Sequence, residues 1–281
     1  MIENKGNKSL KGVKVGIMGV GMVGGAMKNY FEKTGAEIFL YDVGLNLGSK
    51  QEVNSADIIF ICVPTPFNAE NGFDLSYVEC ACADIAGEKI IVIKSTILPG
   101  TTDKLQKKYP QHKFLFNPEF LSESTANDDM QNPDRQLVGY ADENKGAAEK
   151  VLDILPEAPY KKVMPAAEAE MIKYFNNTFN AIKVAFANQM YDLCQALNIN
   201  YDSVMESAAK SKFIITKDHL TVWHKEFRGY GGKCLPKDTK ALIQLADSLG
   251  VDLKLHKSAE EVNNNLMKEQ NIKDPEKFSK R

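Results

Sequence analysis

A chain of 281 residues, 43% hydrophobic and 26% charged, is long enough for one large or two modest domains and has the composition of an ordinary globular protein. Its net charge of -2 supplies no field to hold nucleic acid or an anionic membrane, so neither is an expected partner. Five irregularly spaced cysteines make no disulfide framework, and Cys80-Ala81-Cys82 has no matching Cys/His pair. No metal is therefore expected, and reduced thiols in a cytoplasmic protein are the reading.

The start of the chain, 1–12, is polar and lysine-bearing and does not read as a signal peptide. No run approaches the roughly 20 apolar residues of a membrane span. Apolar runs at 13–18, 37–41, 58–63, 89–93, 114–116 and 136–138 read as strands, with helices at 26–33 and 75–85 between them. Strands that are apolar on both faces and alternate with helices predict an α/β, Rossmann-like doubly wound parallel sheet over residues 1–164. The pattern changes at Pro165. Between 166 and 197 there is no Pro or Gly, and apolar residues recur at Ile172, Phe175, Phe179, Ile182, Phe186, Met190, Leu193 and Leu197. Steps of three and four predict one long amphipathic helix of roughly eight to nine turns. Helices at 201–209, 237–249 and 258–269 then complete an all-helical domain, 165–281, with a polar tail at 274–281.

Gly19-x-Gly21-x-x-Gly24 lies between the first strand and the first helix, the context in which this pattern binds a dinucleotide. One glycine turns the chain, the second admits the pyrophosphate and the third packs helix on strand. Met22 and Val23 then offer helix N-terminal amides to the phosphates. Asp42 ends the second strand eighteen residues after Gly24. A carboxylate there accepts bonds from both ribose hydroxyls and repels a 2′-phosphate, so the expected cofactor is NAD rather than NADP. The plain alternative, a glycine turn beside an unrelated surface aspartate, does not account for strand, loop, helix and acid in register.

Gly229-Tyr230-Gly231-Gly232-Lys233-Cys234-Leu235-Pro236-Lys237-Asp238 is the most informative stretch. Three glycines let backbone approach a ligand, and Pro236 suits a helix start. Cys234 thus stands before a helix N-terminus and near Lys237, both of which favour a thiolate. With Cys62-Val63-Pro64-Thr65-Pro66, Lys94-Ser95-Thr96, Asn117-Pro118-Glu119-Phe120-Leu121-Ser122-Glu123, Pro133-Asp134-Arg135 and Glu170-Met171-Ile172-Lys173-Tyr174, in this order, the chain resembles the UDP-glucose/GDP-mannose dehydrogenase family.

That resemblance implies oxidation of a nucleotide sugar's C6 alcohol to the carboxylate with two NAD. Cys234 would capture the aldehyde, and the thioester formed on it would be hydrolysed by water. Lys173 and Asn177, four apart on the long helix, would stabilise the developing oxyanion. Asp238 and Thr96 would position a water and move the first proton, and Glu123 would activate the hydrolytic water beside the cofactor. Val63, Pro64, Thr65 and Thr96 would line the cofactor channel. Glu119, Phe120, Leu121, Tyr230, Gly231, Lys237 and Arg228 would contact the sugar nucleotide, and the long helix 166–197 would build a homodimer. Taken singly, each residue has a plain alternative: a solvated helix lysine, a wet-face asparagine, a cap or a surface charge.

Three departures from the family stand out. Only fourteen residues separate Asp42 from Asp57, where relatives carry a longer helical excursion. Relatives continue into a further Rossmann-like domain beyond the region of Asn263-Asn264-Asn265. Glu226-Phe227-Arg228 replaces small and aromatic residues before Gly229, so that Arg228 reads as a phosphate partner or as a surface charge. UDP-glucose is the expected substrate, with GDP-mannose or a UDP-N-acetylhexosamine as same-fold alternatives. A catalytically silent NAD-binding subunit is the alternative of another class.

Overall fold

A computed structural model describes residues 8–70, 72–210, 221–224 and 227–273. The polar tail at 274–281, residues 1–7 and Glu226 lie outside the described residues. The chain divides into two compact units, Met1–Lys173 and Tyr174–Arg281.

The first unit is built on eight strands: β1 (Lys14–Met18), β2 (Glu37–Asp42), β3 (Leu47–Gly48), β4 (Ile58–Ile61), β7 (Ile90–Ile93), β8 (Lys113–Phe116), β9 (Arg135–Tyr140) and β10 (Tyr160–Pro165). A small ribbon, β5 (Phe67–Asn68) with β6 (Gly72–Phe73), follows β4. The sheet order is β10-β9-β8-β7-β4-β1-β2-β3. From β2 across β1, β4 and β7 to β8 every pairing is parallel. Because β3 and β9 pair antiparallel to β2 and β8, the sheet is mixed at both sides rather than parallel throughout.

Alternation along each strand feeds two cores. Ile58 and Phe60 of β4 and Leu115 of β8 join Val15, Ile17, Met27 and Phe31 on one face. Ile59, Ile61, Phe114 and Phe116 join Ile91, Ile93, Val78 and Leu105 on the other. Helices α1 (Met22–Thr34), α5 (Ala126–Gln131) and α6 (Lys145–Ile154) contribute to the first core, and α2 (Lys50–Val53), α3 (Ser76–Ala83) and α4 (Thr101–Lys108) to the second. Between Asp42 and Asp57 the chain forms only β3 and the single turn of α2.

The long helix α7 (Ala166–Ala196) begins where expected, and the division between the compact units falls within it, at Lys173/Tyr174. Its first two turns belong to the sheet. A Cβ at Gly139 in β9 would stand 2.8 Å from both Ala166 Cα and Ala169 Cβ, so helix and strand touch through small residues. Glu170 then accepts hydrogen bonds from the Gly100 and Thr102 amides at 2.5 and 2.9 Å, capping the start of α4.

The second unit holds the rest of α7, with α8 (Tyr201–Ala208), α9 (Leu235–Ser248) and α10 (Lys254–Glu269). It is not wholly helical: β11 (Trp223–His224) and β12 (Phe227–Arg228) form a short antiparallel ribbon. The face of α7 that is buried also differs from the apolar stripe read in the sequence. Ala181, Val184, Ala185, Ala187 and Cys194 pack inward, while Phe175, Phe179 and Phe186 are 74%, 49% and 51% exposed. Among the described residues no helix is long and apolar enough to cross a membrane.

Candidate active site

The glycine loop closes off β1. Gly19 has φ +86°, a conformation that excludes most side chains, and its amide donates to the Tyr41 carbonyl at 2.9 Å. A Cβ at Gly24 would overlap the Gly19 carbonyl oxygen, which fixes glycine where α1 crosses the loop. At Gly21 nothing lies within 4 Å of the Cβ position, leaving room in front of the α1 N-terminus. Gly21 itself is the N-cap and has no side chain with which to satisfy the first-turn amides of Met22 and Val23. Asp42 sits beside this loop, its two carboxylate oxygens accepting from Val20 N at 2.6 Å and Leu45 N at 2.9 Å. Open space, unsatisfied amides and an adjacent carboxylate fit the pyrophosphate and ribose of a dinucleotide.

The loops after β4 and β7 are tied together. Thr65 Oγ1 donates to the Thr96 carbonyl at 2.8 Å and Ser95 Oγ to the Val63 carbonyl at 2.6 Å. Thr65 and Thr96 are buried, Val63 is half-buried and Pro64 is exposed. After β8, Glu119 and Lys173 form a buried ion pair at 2.6 Å, and Lys173 Nζ also donates to the Glu119 carbonyl at 2.9 Å. Burial pushes the Glu119 carboxyl up, but the charge and hydrogen bond of Lys173, the Leu121 amide and the charge of Lys94 outweigh it. The group is held below the usual carboxylate range.

Other residues of this segment do not all face a ligand. The Phe120 ring lies 3.9 Å from the Arg135 guanidinium, and Leu121 packs against the first core. Both are half-buried and packed on one side by the protein. Glu123 is exposed on the turn before α5.

In the second unit, Cys234 is the half-buried N-cap of α9, and Pro236 lies in the first turn. Its carbonyl accepts from the Asp238 amide at 3.0 Å, the first bond of the helix. Asp238 is fully buried. One carboxylate oxygen accepts from Asn177 Nδ2, and the other from Lys237 Nζ at 2.5 Å. The fold thus brings Asn177, Lys237 and Asp238 together one turn from the thiol.

Tyr230 departs from expectation. It is 3% exposed and packs among Ala181, Val184, Ala185 and Ala259, so its ring is core and not a substrate contact. Gly231, next to it, is half-buried. The Arg228 guanidinium stands 4.8 Å from the Tyr191 ring and reaches the Asn188 side chain at 3.4 Å, which turns it onto α7. Sequence reasoning also missed a pair of clamps. Asn263 donates to and accepts from the Tyr230 backbone at 3.0 and 2.7 Å, and Gln270 does the same for Arg228 at 3.0 and 2.7 Å. Two amides seven apart on a helix face, opposite residues two apart in a loop, are the only linear signal for this. Lys94, Asn117 and Glu170 were quoted within motifs but given no role. Nothing in a linear pattern marks a lysine as buried.

The chain matches the UDP-glucose/GDP-mannose dehydrogenase family in its NAD binding domain over residues 44–155 and in its central domain over residues 167–265. It is 32% identical to a UDP-glucose 6-dehydrogenase of Rhizobium meliloti over 237 residues, covering 77% of this chain and 52% of that protein. It is also 32% identical to a GDP-mannose 6-dehydrogenase of Pseudomonas aeruginosa over 225 residues, covering 72% and 50%. The chain spans about half the length of the curated relatives it matches. Among solved structures, a UDP-glucose dehydrogenase from Pyrobaculum islandicum superposes with a TM-score of 0.80 at 28% identity, covering 94% of this chain and 70% of that one.

Proposed function

This chain belongs to the UDP-glucose/GDP-mannose dehydrogenase family, and from that premise we propose that it takes part in oxidising the C6 alcohol of a nucleotide sugar to the carboxylate, UDP-glucose being the leading substrate. The observation that carries this reading is Cys234 at the N-terminus of α9, one turn from the buried Asn177–Asp238–Lys237 cluster. A simple alcohol dehydrogenase has no use for a thiol so placed.

The Gly19–Gly24 loop and Asp42 would hold NAD, which would supply the hydride acceptor for both oxidations. Asp238, through a water, takes the proton of the C6 hydroxyl in the first. Cys234 Sγ then adds to C6 of the aldehyde, the S–C bond forms, and the carbonyl oxygen becomes an oxyanion that Lys173 and Asn177 stabilise. Loss of the second hydride leaves a thioester on Cys234. Water, activated by Glu123, adds to C6; the S–C bond breaks and the thiolate leaves with the acid product released. The two-step course keeps a reactive aldehyde attached to the protein.

The partner proposed for assembly is a second copy of this chain. Phe175 and Phe179 stack at 6.5 Å on the exposed side of α7, in line with Phe186, and a two-fold pairing of this stripe removes three aromatic rings from water on each copy.

UDP-glucose 6-dehydrogenases match at 32–34% identity and GDP-mannose 6-dehydrogenases at 31–32%, so the base and sugar are read from a substrate panel. The protein is incubated with NAD and UDP-glucose, GDP-mannose or a UDP-N-acetylhexosamine, and NADH and acid are counted. Two NADH per sugar and loss of acid in Cys234→Ala are expected. NAD binding without NADH from any sugar would instead identify a silent subunit.

A further inference from the structure

Lys94, which follows β7, is 5% exposed. Among the described residues its one hydrogen bond is to the Asn117 side-chain oxygen at 2.7 Å, and no carboxylate stands within ion-pair range of it. Asn117 is fully buried and spends its amide on the Leu137 carbonyl at 2.7 Å, so it is locked between β8 and β9. Two residues further on, Glu119 makes its pair with Lys173. One buried carboxylate is thus served by two buried ammonium groups, only one of which touches it. A buried cation without a partnered carboxylate is costly and is retained where its charge is used.

We propose that Lys94 is a positioning residue for the Glu119–Lys173 pair, its ammonium anchoring the Asn117-Pro118-Glu119 turn and supplying the second positive charge that keeps Glu119 ionised. The groups that face Lys94 are Cys62, Glu119 and Lys173. Burial pulls its ammonium down to about 8, against the charge of Glu119, while Lys173 lowers it further. Cys62's own burial pushes its thiol up to about 12 against the lowering charge of Lys94, so Cys62 stays neutral and Lys94 is the group in this cluster that changes charge at mildly alkaline pH. The surplus cation leaves the pocket net positive when Glu119 and Lys173 are both charged. The consequence for turnover, loss of oxyanion stabilisation above that pH, rests on the function proposed above. The charge link to Glu119 does not.

The test therefore reads Glu119 directly. Protein labelled with 13C at glutamate Cδ is titrated by NMR, the Glu119 resonance being assigned by its absence from Glu119→Gln. Lys94→Gln keeps a hydrogen bond to Asn117 and removes the charge. The Glu119 midpoint is expected to rise by about one pH unit or more, equivalent to about 1.4 kcal/mol, and to return in Lys94→Arg. A midpoint unmoved in folded Lys94→Gln overturns the proposal. Should that variant not fold, Lys94→Met removes the charge at similar volume and must also raise the midpoint; no rise there overturns it equally. With an active sugar in hand, Lys94→Gln should lower kcat with little change in KM for NAD, and an unaltered alkaline limb of its pH profile counts against it.

Discussion

At Gly21 nothing lies within 4 Å of where a methyl group would stand, whereas at Gly24 the same methyl overlaps the Gly19 carbonyl. Single-residue changes separate the two demands. Gly21→Ala should keep its unfolding free energy within about 1 kcal/mol of the parent and lose NAD affinity, because the methyl enters the space left for the pyrophosphate. Gly24→Ala should lose about 1–3 kcal/mol of stability, since backbone must move to admit the methyl. Urea unfolding and an NAD titration on both variants read the contrast; equal affinity losses without a stability difference would reject it. Glu119 carries a second prediction at this scale. Its carboxyl is held below the usual glutamate value of about 4.5, so the folded state binds its proton less readily than the unfolded chain. The stability it contributes is complete above about 4.5 and is lost as the pH falls toward the lower folded value. Thermal melts of the parent should therefore fall more steeply below pH 4.5 than those of Glu119→Gln.

Elements here are held by side chains that act as surrogate backbone. Glu170, on α7, satisfies the start of α4 from 68 residues away in sequence. Asn263 on α10 and Gln270 at its C-cap pair both backbone groups of Tyr230 and Arg228 respectively, and Gly229 between those residues has φ +104° with Asn263 Oδ1 2.6 Å from its Cβ position. No side chain is accommodated there, and the loop that leads to Cys234 lies against α10 as a strand lies against its neighbour. Asn263→Ala leaves the buried amide and carbonyl of Tyr230 unpaired, a loss of about 1–3 kcal/mol. The second unit should show it in hydrogen exchange as faster opening of residues 228–235, while exchange in the β1–β4 core stays unchanged. Uniform acceleration across both would mean a general loss of stability instead of a released clamp.

At the scale of the whole molecule, the apolar stripe of α7 is the feature whose meaning changed most. Read as a pattern, it described a core-facing helix with some apolar residues to spare. In the fold, the inward face is made of small residues, Ala181, Val184, Ala185 and Ala187, and the aromatic residues are left outside. Phe179→Asp is expected to shift the protein from dimer to monomer in sedimentation velocity, with an unchanged far-ultraviolet spectrum. A monomeric parent would dispose of the assembly proposal. Periodicity identifies that a helix is amphipathic, but two apolar faces on one helix merge into one signal, and only packing sorts them.

What the sequence determined by itself is what local sterics decide. Gly19, Gly21 and Gly24 between an apolar strand and a helix fix a dinucleotide loop, because the tight turn at Gly19 and the close crossing at Gly24 admit no other residue and Gly21 leaves the space in front of the helix open. Cys234 before Pro236 fixes a thiol at a helix start, because proline has no amide to lose there. The order of motifs was enough for the family. The tertiary structure decided everything that depends on residues far apart in the chain: the Glu119–Lys173 pair across 54 positions, the Asn263 clamp across 33, and the burial of Tyr230. A side chain's partner is set by where strand ends and helix faces meet in space, and that meeting leaves no periodic trace along the sequence.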